Sequence, residues 1–246
     1  MKHVYKNAAY LGALVILMFQ LSFVTPTYKG KSIAATKKIM PVVNKTDTSG
    51  AALYDSMRLS ASGLSRQAFN YAVEGYKYLL TAGKIKNDGV LSIIDFTLPS
   101  YSKRLFVIDL KSYAVLFNTY VSHGRNSGKA LANEFSNELN SFKSSLGFYV
   151  TSGTYNGKHG YSLRLEGEEQ GINDNALNRG IVMHCAPYVS ESFIKSQGYI
   201  GRSEGCPAVS SKVYKPIIQK IKDGSCLFMY SPNEYYLSHS SILKSA

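Results

Sequence analysis

Residues 201 to 210 read GRSEGCPAVS, and the cysteine in them, Cys206, is the first candidate for a reacting atom. A cysteine nucleophile needs a base to take its proton, and backbone donors to hold the oxyanion formed when the sulfur attacks a carbonyl. Gly205 permits a tight turn with unhindered N–H groups, Pro207 restricts the chain just after the sulfur, and Ser203 adds a hydroxyl to the same turn. The local sequence therefore suits acyl transfer. Taken alone, it suits equally a disulfide half, a metal ligand or a small apolar residue in a turn.

Five histidines could supply the base. His3 lies in the N-terminal segment and His239 in a polar tail, whereas His123 in VSHGRNSG and His159 in NGKHGYS sit where strands meet glycine-rich turns. His184 ends the apolar run GIVMHCA, 22 residues before Cys206. A base at a strand end and a nucleophile on a following loop can be aimed into one cleft. No Cys-x-x-Cys or His-x-x-x-His spacing supports zinc. GRNSGKA, residues 124 to 130, is one residue short of a phosphate loop and ends in alanine where a hydroxyl would hold magnesium.

The elements that must position these residues read as strands. VLSIIDFTL, RLFVIDL, AVLFNTYVS, LGFYVTSG, YSLRLEG, GIVMHCA and CLFMYS are short β-branched and aromatic runs broken by Gly, Ser, Asn and Lys. Asp109 to Tyr113 suits a tight hairpin. Before the strands, Ser65 as N-cap precedes Ala68, Phe69, Ala72, Val73, Tyr76, Leu79 and Leu80 at spacings of three and four, with Gly83 closing a helix that packs by its apolar stripe. A polar insertion follows at 130 to 146, and VYKPIIQKI at 213 to 221 is helix-like. The expectation is a mainly β fold, an antiparallel sandwich or open barrel with peripheral helices.

At the N-terminus, Lys2, His3 and Lys6 precede the apolar run of residues 8 to 24, the layout of an export signal or, at its length, an uncleaved membrane anchor. Residues 29 to 50 are rich in Lys, Thr and Ser and read as a polar tether. Seven lysines and no acids in the first 45 residues account for seven of the +12 formal charges, which leaves a modest excess and no case for nucleic acid. The reading divides the chain into a signal or anchor at 1–28, the tether at 29–50, a helical extension at 51–89 and a catalytic domain at 90–246. Cys185, Cys206 and Cys226 are an odd number for an oxidising compartment, so at least one is free or paired between molecules.

His184, followed after eighteen residues by Ser203-Glu204-Gly205-Cys206, resembles the signature of the YkuD-type L,D-transpeptidases: a histidine, a shorter spacer, then Ser/Thr-His-Gly-Cys. The wording VMHCAPYVS and GYIGRSEGCPAVS is similar to a divergent branch, the murein L,D-transpeptidase catalytic domains, in which Gly-Cys-Pro-Ala-Val replaces Gly-Cys-Ile/Val-Arg. The likeness continues upstream through YVSHGRNSG, FSN, SSLGFYVT, GKHGYSLRLEG and IND, from about Leu91 to Tyr230.

The resemblance implies a YkuD-like β-sandwich or open barrel, with Cys206 as nucleophile, His184 as base, the N–H groups of Gly205 and Cys206 as oxyanion donors, and Ser203 shaping the loop. It implies attack on the L-to-D peptide bond before the terminal D-Ala of a peptidoglycan stem, then resolution of the thioester by an amine to a 3-3 crosslink, with no cofactor or metal. Arg202, Glu204, Tyr188, Arg125 and Asn126 are the candidates for gripping the stem. Two positions depart from the commoner pattern. Glu204 stands where a histidine is usual, and would oppose the thiolate if it faced the sulfur but favour an imidazolium if it faced His184. Cys185 replaces a glycine and, on a strand, points away from His184, as a buried small residue, a partner of Cys226 or a partner of Cys206. The alternatives to a transpeptidase are a non-catalytic wall-binding protein on the same fold and an L,D-carboxypeptidase.

Overall fold

The computed structural model describes residues 50–245; the apolar run at 8–24 and the tether up to residue 49 lie outside the described residues. Eight strands, β1 (Val90–Asp95), β2 (Leu105–Asp109), β3 (Ala114–Thr119), β4 (Gly147–Gly157), β5 (Gly160–Gly167), β6 (Val182–Cys185), β7 (Ala208–Val209) and β8 (Cys226–Tyr230), form one sheet in the order β3-β2-β1-β8-β4-β5-β6-β7. The β1–β8 and β6–β7 pairs are parallel and the others antiparallel. The two edges then approach each other. Val121, just past β3, forms an antiparallel bridge to Val209, and Ser122 N–H donates to Ala208 O at 2.8 Å. This is the mainly β, open-barrel architecture that the sequence predicts, nearly closed beside Cys206.

β8 reads as an unbroken apolar run and β1 as one interrupted by Ser92 and ended by Asp95, and every residue of each is buried. Helices lie around the sheet: α1 (Gly50–Ser56), α2 (Arg66–Thr81), α3 (Glu191–Gln197), α4 (Tyr214–Ile221) and α5 (Glu234–His239). α2 starts where the Ser65 hydroxyl accepts from Ala68 N–H, and Asp95 at the end of β1 accepts from Ser65 N–H at 3.1 Å. Its stripe buries Ala68, Phe69, Ala72, Val73 and Leu79. Gly75 lies so close to the sheet that a Cβ there would sit 2.0 Å from the Phe148 ring. Leu80, placed in that stripe by spacing, is 42% exposed instead. Leu79 takes the inward position, and the next residue is rotated by about 100° away from it.

Residues 50–89, the described part of the chain before β1, share the core of the sheet. Tyr54, Leu59, Leu64 and Phe69 belong to the same buried cluster as Leu91, Phe148 and Phe228. A one-sided apolar helix must bury its stripe somewhere, and here it does so on β1 and β8. At the other end of the chain, buried Glu169 accepts from Phe148 N–H at 2.8 Å, from Tyr236 OH at 3.2 Å and from the Ser240 hydroxyl, fastening α5 to β4.

Candidate active site

Parallel pairing of β6 with β7 brings His184 and Cys206 together. His184 is the register partner of Ala208, so Cys206 lies two positions upstream on its chain, level with Val182. Val182 N–H points at the Cys206 sulfur at 3.5 Å, and the sulfur lies 3.6 Å from Gly180 O. His184 lies two residues along β6 from Val182, whose N–H the Cys206 sulfur approaches. His184 and Cys206 line one cleft of about 400 Å³.

The Cys206 turn is built from hydroxyls. Ser203, 6% exposed, donates from Oγ to Cys206 O at 2.7 Å and accepts from Gly205 N–H at 3.1 Å. Ser144 Oγ donates to Gly205 O at 3.1 Å, and Ser122 Oγ lies 3.4 Å from Cys206 O while accepting from Ala208 N–H. Gly205 has φ +126°, and a side chain there would meet Lys143 O at 2.8 Å. The expected pair of oxyanion donors is thereby reduced to one. Gly205 N–H is committed to Ser203, whereas Cys206 N–H has no hydrogen-bond partner among the described residues.

His184 is 2% exposed, and its Nδ1 lies 2.9 Å from Cys185 O. A carbonyl only accepts, so Nδ1 carries the hydrogen and Nε2 presents a lone pair to the cleft. Burial, and next the proximity of His159, push the imidazole below its ordinary value, while the bond to Cys185 O pulls the other way. Burial pushes the Cys206 thiol up, Val182 N–H and the Arg179 guanidinium pull it down, and Glu204 adds a small upward push. The resting pair is therefore a neutral thiol beside a neutral imidazole.

Glu204 faces neither the sulfur nor His184. Its carboxylate lies 3.7 Å from Arg125, with the two side chains 71% and 50% exposed, and Arg125 stacks on the Phe142 ring at 3.9 Å. Arg202 lines the cleft but spends one nitrogen on Arg125 O and Gly128 O, both at 3.1 Å, which pins the facing loop. Tyr188 also lines the cleft, its hydroxyl pushed up to about 12 by burial. Asn126 does not line it. Its amide donates to Ser141 O at 2.9 Å and its backbone N–H to Phe142 O, so it ties one loop to another instead of meeting a ligand.

His123 is structural. Its Nδ1 accepts from buried Arg104 at 2.7 Å, Nε2–H donates to Gly128 O at 3.2 Å, and burial with the nearby guanidinium lowers it to about 3. Cys185 points away from His184 as strand alternation requires, but it is half-exposed, not buried, and all three cysteines are free. Cys226 is enclosed within β8. Among the described residues no three His, Cys, Asp or Glu side chains gather as metal ligands.

One cleft residue, Arg179, escaped the sequence reading. Arg179 donates to Ser136 O at 2.7 Å, Ser145 Oγ at 2.5 Å, Lys143 O at 2.6 Å and Ser141 Oγ at 3.1 Å, so neutral groups hold it beside the Cys206 turn, with Glu138 acting on it only at a distance. Its signal was a lone arginine three residues before a buried strand. His159, in the β4–β5 turn, stacks on His184 with ring centroids 4.3 Å apart.

A family model described as L,D-transpeptidase catalytic domain matches residues 60–230. No curated protein matches the chain. Similar solved structures include an L,D-transpeptidase from Mycobacterium smegmatis, 16% identical with a TM-score of 0.37, over 58% of this chain and 59% of that one. L,D-transpeptidase 3 from Mycobacterium tuberculosis is 12% identical with a TM-score of 0.38, over 58% and 61%. An L,D-transpeptidase from Xylanimonas cellulosilytica is 14% identical with a TM-score of 0.33, over 68% and 81%.

Proposed function

The chain belongs to the family of L,D-transpeptidase catalytic domains, and on that premise we propose that it is an exported cysteine acyltransferase acting on peptidoglycan stem peptides, with Cys206 as nucleophile and His184 as base. The observation that carries the reading is one cleft holding the Cys206 sulfur, an imidazole with Nε2 left open by the Nδ1 bond to Cys185 O, and an unengaged N–H on Cys206 itself. The basic and apolar N-terminal sequence supports export.

In the first half-reaction the thiol proton passes to His184 Nε2 as Sγ bonds to the carbonyl carbon of the L-to-D peptide bond before the terminal D-Ala. Cys206 N–H faces the oxyanion. The C–N bond then breaks, the imidazolium gives its proton to the departing D-Ala amine, and a thioester remains. In the second half an amine of a neighbouring stem attacks the thioester, and its proton returns through His184 to the departing sulfur, giving a 3-3 crosslink. Because burial raises the thiol and lowers the imidazole, proton transfer accompanies attack on the bound carbonyl and does not precede it.

The test is intact-mass spectrometry with a stem tetrapeptide or a carbapenem. The wild type should gain one acyl group and Cys206→Ala none; an equal mass gain on the variant overturns the assignment. A muropeptide digest then separates the outcomes: 3-3 dimers for transpeptidation, free tripeptide stems for carboxypeptidation, and no product for a wall-binding protein.

A further inference from the structure

The β4–β5 hairpin reaches over the cleft by its turn, and that turn is fastened to β6 twice. The imidazole of His159 lies on that of His184 with centroids 4.3 Å apart and planes 23° from parallel. The carbonyl of His159 accepts from the Cys185 thiol at 3.8 Å, so two successive residues of β6 hold one residue of the turn. The Nδ1 bond to Cys185 O fixes one edge of the His184 ring, and the stacked ring covers one of its faces. A ring held by an edge and a face has its Nε2 direction set before any ligand arrives.

The stack has an electrostatic side as well. His184 shares its cleft with Lys158 and His159 of the hairpin, Arg179 ahead of β6, Tyr188 after it, Arg202, Glu204 and Cys206 of the nucleophile turn, and Arg125 of the facing loop. Of these side-chain types, histidine is the one that changes charge between about pH 5 and 8. A positive ring stacked on His184 opposes a second proton on it, and the proximity of His159 does lower His184.

We propose that His159 is a positioning residue for acyl transfer: its stacked ring sets the direction of His184 Nε2 and, by resisting protonation of His184, keeps that base available at mildly acid pH. The proposal rests on the reading of His184 as the base. The β4–β5 turn is thus part of the acyl-transfer apparatus, and it acts through His184 without touching the reacting carbonyl.

The experiment compares the full-length wild type with His159→Phe, which keeps a stackable ring that cannot take a proton, and His159→Ala, which removes the ring. Acylation by a carbapenem is followed from pH 5 to 9, with kcat and KM for a stem tetrapeptide at the pH optimum. His159→Phe should keep its kcat on the plateau within about twofold and move the acid limb of its profile upward by about half a pH unit or more, the effect of removing a like charge one ring away. His159→Ala should lose about tenfold in kcat at all pH values with KM little changed. An acid limb of His159→Phe that superimposes on the wild type's, or moves down, overturns the electrostatic role. A plateau kcat of His159→Ala equal to the wild type's overturns the positioning role. A wild type that does not acylate at Cys206 refutes the catalytic reading instead, and the Cys206→Ala control separates that failure from the other two.

Discussion

Ser203→Ala tests whether the nucleophile turn is held by the bracket seen in the structure. Among the described residues the hydroxyl is the one side-chain group that satisfies Gly205 N–H, and it makes the shorter of two bonds to Cys206 O, 2.7 Å against 3.4 Å from Ser122. Removing it strands a buried donor, at about 1 to 3 kcal/mol, and weakens a carbonyl that keeps its second partner, at about 0.5 to 1 kcal/mol, so roughly 2 to 3 kcal/mol of stability should be lost. At a urea dependence of about 2 kcal/mol per molar, the unfolding midpoint should fall by about 1 M. The released turn should also let the sulfur and Cys206 N–H drift, and a displacement of about 1 Å costs up to 100-fold in rate. Acylation by a stem peptide should therefore slow by about 10 to 100-fold, while alkylation by iodoacetamide, which needs no oxyanion donor, should change by less than about threefold. A midpoint within about 0.3 M of the wild type's, together with unchanged acylation, would refute the bracket.

Arg179→Met should raise the thiol of Cys206 further, because it removes the guanidinium that pulls it down; the midpoint of the alkylation pH profile should move up, and an unchanged or lower midpoint would count against it. Glu204→Gln should alter acylation by less than about threefold, since the carboxylate is exposed and faces Arg125; a loss of about 100-fold would place Glu204 in proton transfer after all. Thiol titration of the native protein should count two accessible cysteines, Cys185 and Cys206, with Cys226 reacting only on unfolding, and rapid labelling of three would contradict its burial in β8. Burial raises Glu169 despite its three donors, so the stability it contributes is fullest below the ordinary carboxyl range and falls as pH climbs through the folded value. The unfolding free energy of the wild type relative to Glu169→Gln should decline as pH climbs above the ordinary carboxyl value of about 4, and a rise there would reverse the sign of the argument.

Seven of the eight strands were legible because each is a run of β-branched and aromatic residues long enough to stand out between turns. β7 was not, since Ala208 and Val209 make a strand only by pairing with His184 and Cys185, and two residues carry no period. α2 was legible down to its Ser65 cap, whereas α3 buries none of its residues and so has no stripe to read. At the site, residue type and spacing left Cys206 and His184 among several readings, and the resemblance singled them out; the structure puts both along one cleft. The hydroxyls that shape the turn were not legible, apart from Ser203, because Ser122 and Ser144 come from loops 84 and 61 residues upstream of their partners. The engagement of the Asn126 amide by Ser141 O was hidden for the same reason. An amide in a glycine-rich turn looks available for a ligand until the loop that occupies it is in place.

The spacing between His184 and Cys206 follows from the topology. Two strands that run parallel cannot be joined by a tight turn and need a crossover of a dozen residues or more. Here that crossover contains α3, with Ala186, Val189 and Ile200 packed on Ala208 as a small core of its own. Parallel pairing also keeps His184 and Cys206 at a fixed offset, whatever the crossover contains, because the register of His184 with Ala208 is set by the strands themselves. A spacer longer than in the commoner signature therefore need not move the sulfur relative to the imidazole, since extra residues can be taken up at α3. The Ser203 to Cys206 turn lies just ahead of the registered strand and is tied down by the bridge of Ser203 to Gly124 and by the Ser144 hydroxyl on Gly205 O, so it has no such freedom, and the hydroxyl at Ser203 and the positive φ at Gly205 constrain the place of the sulfur more than the length of the gap does.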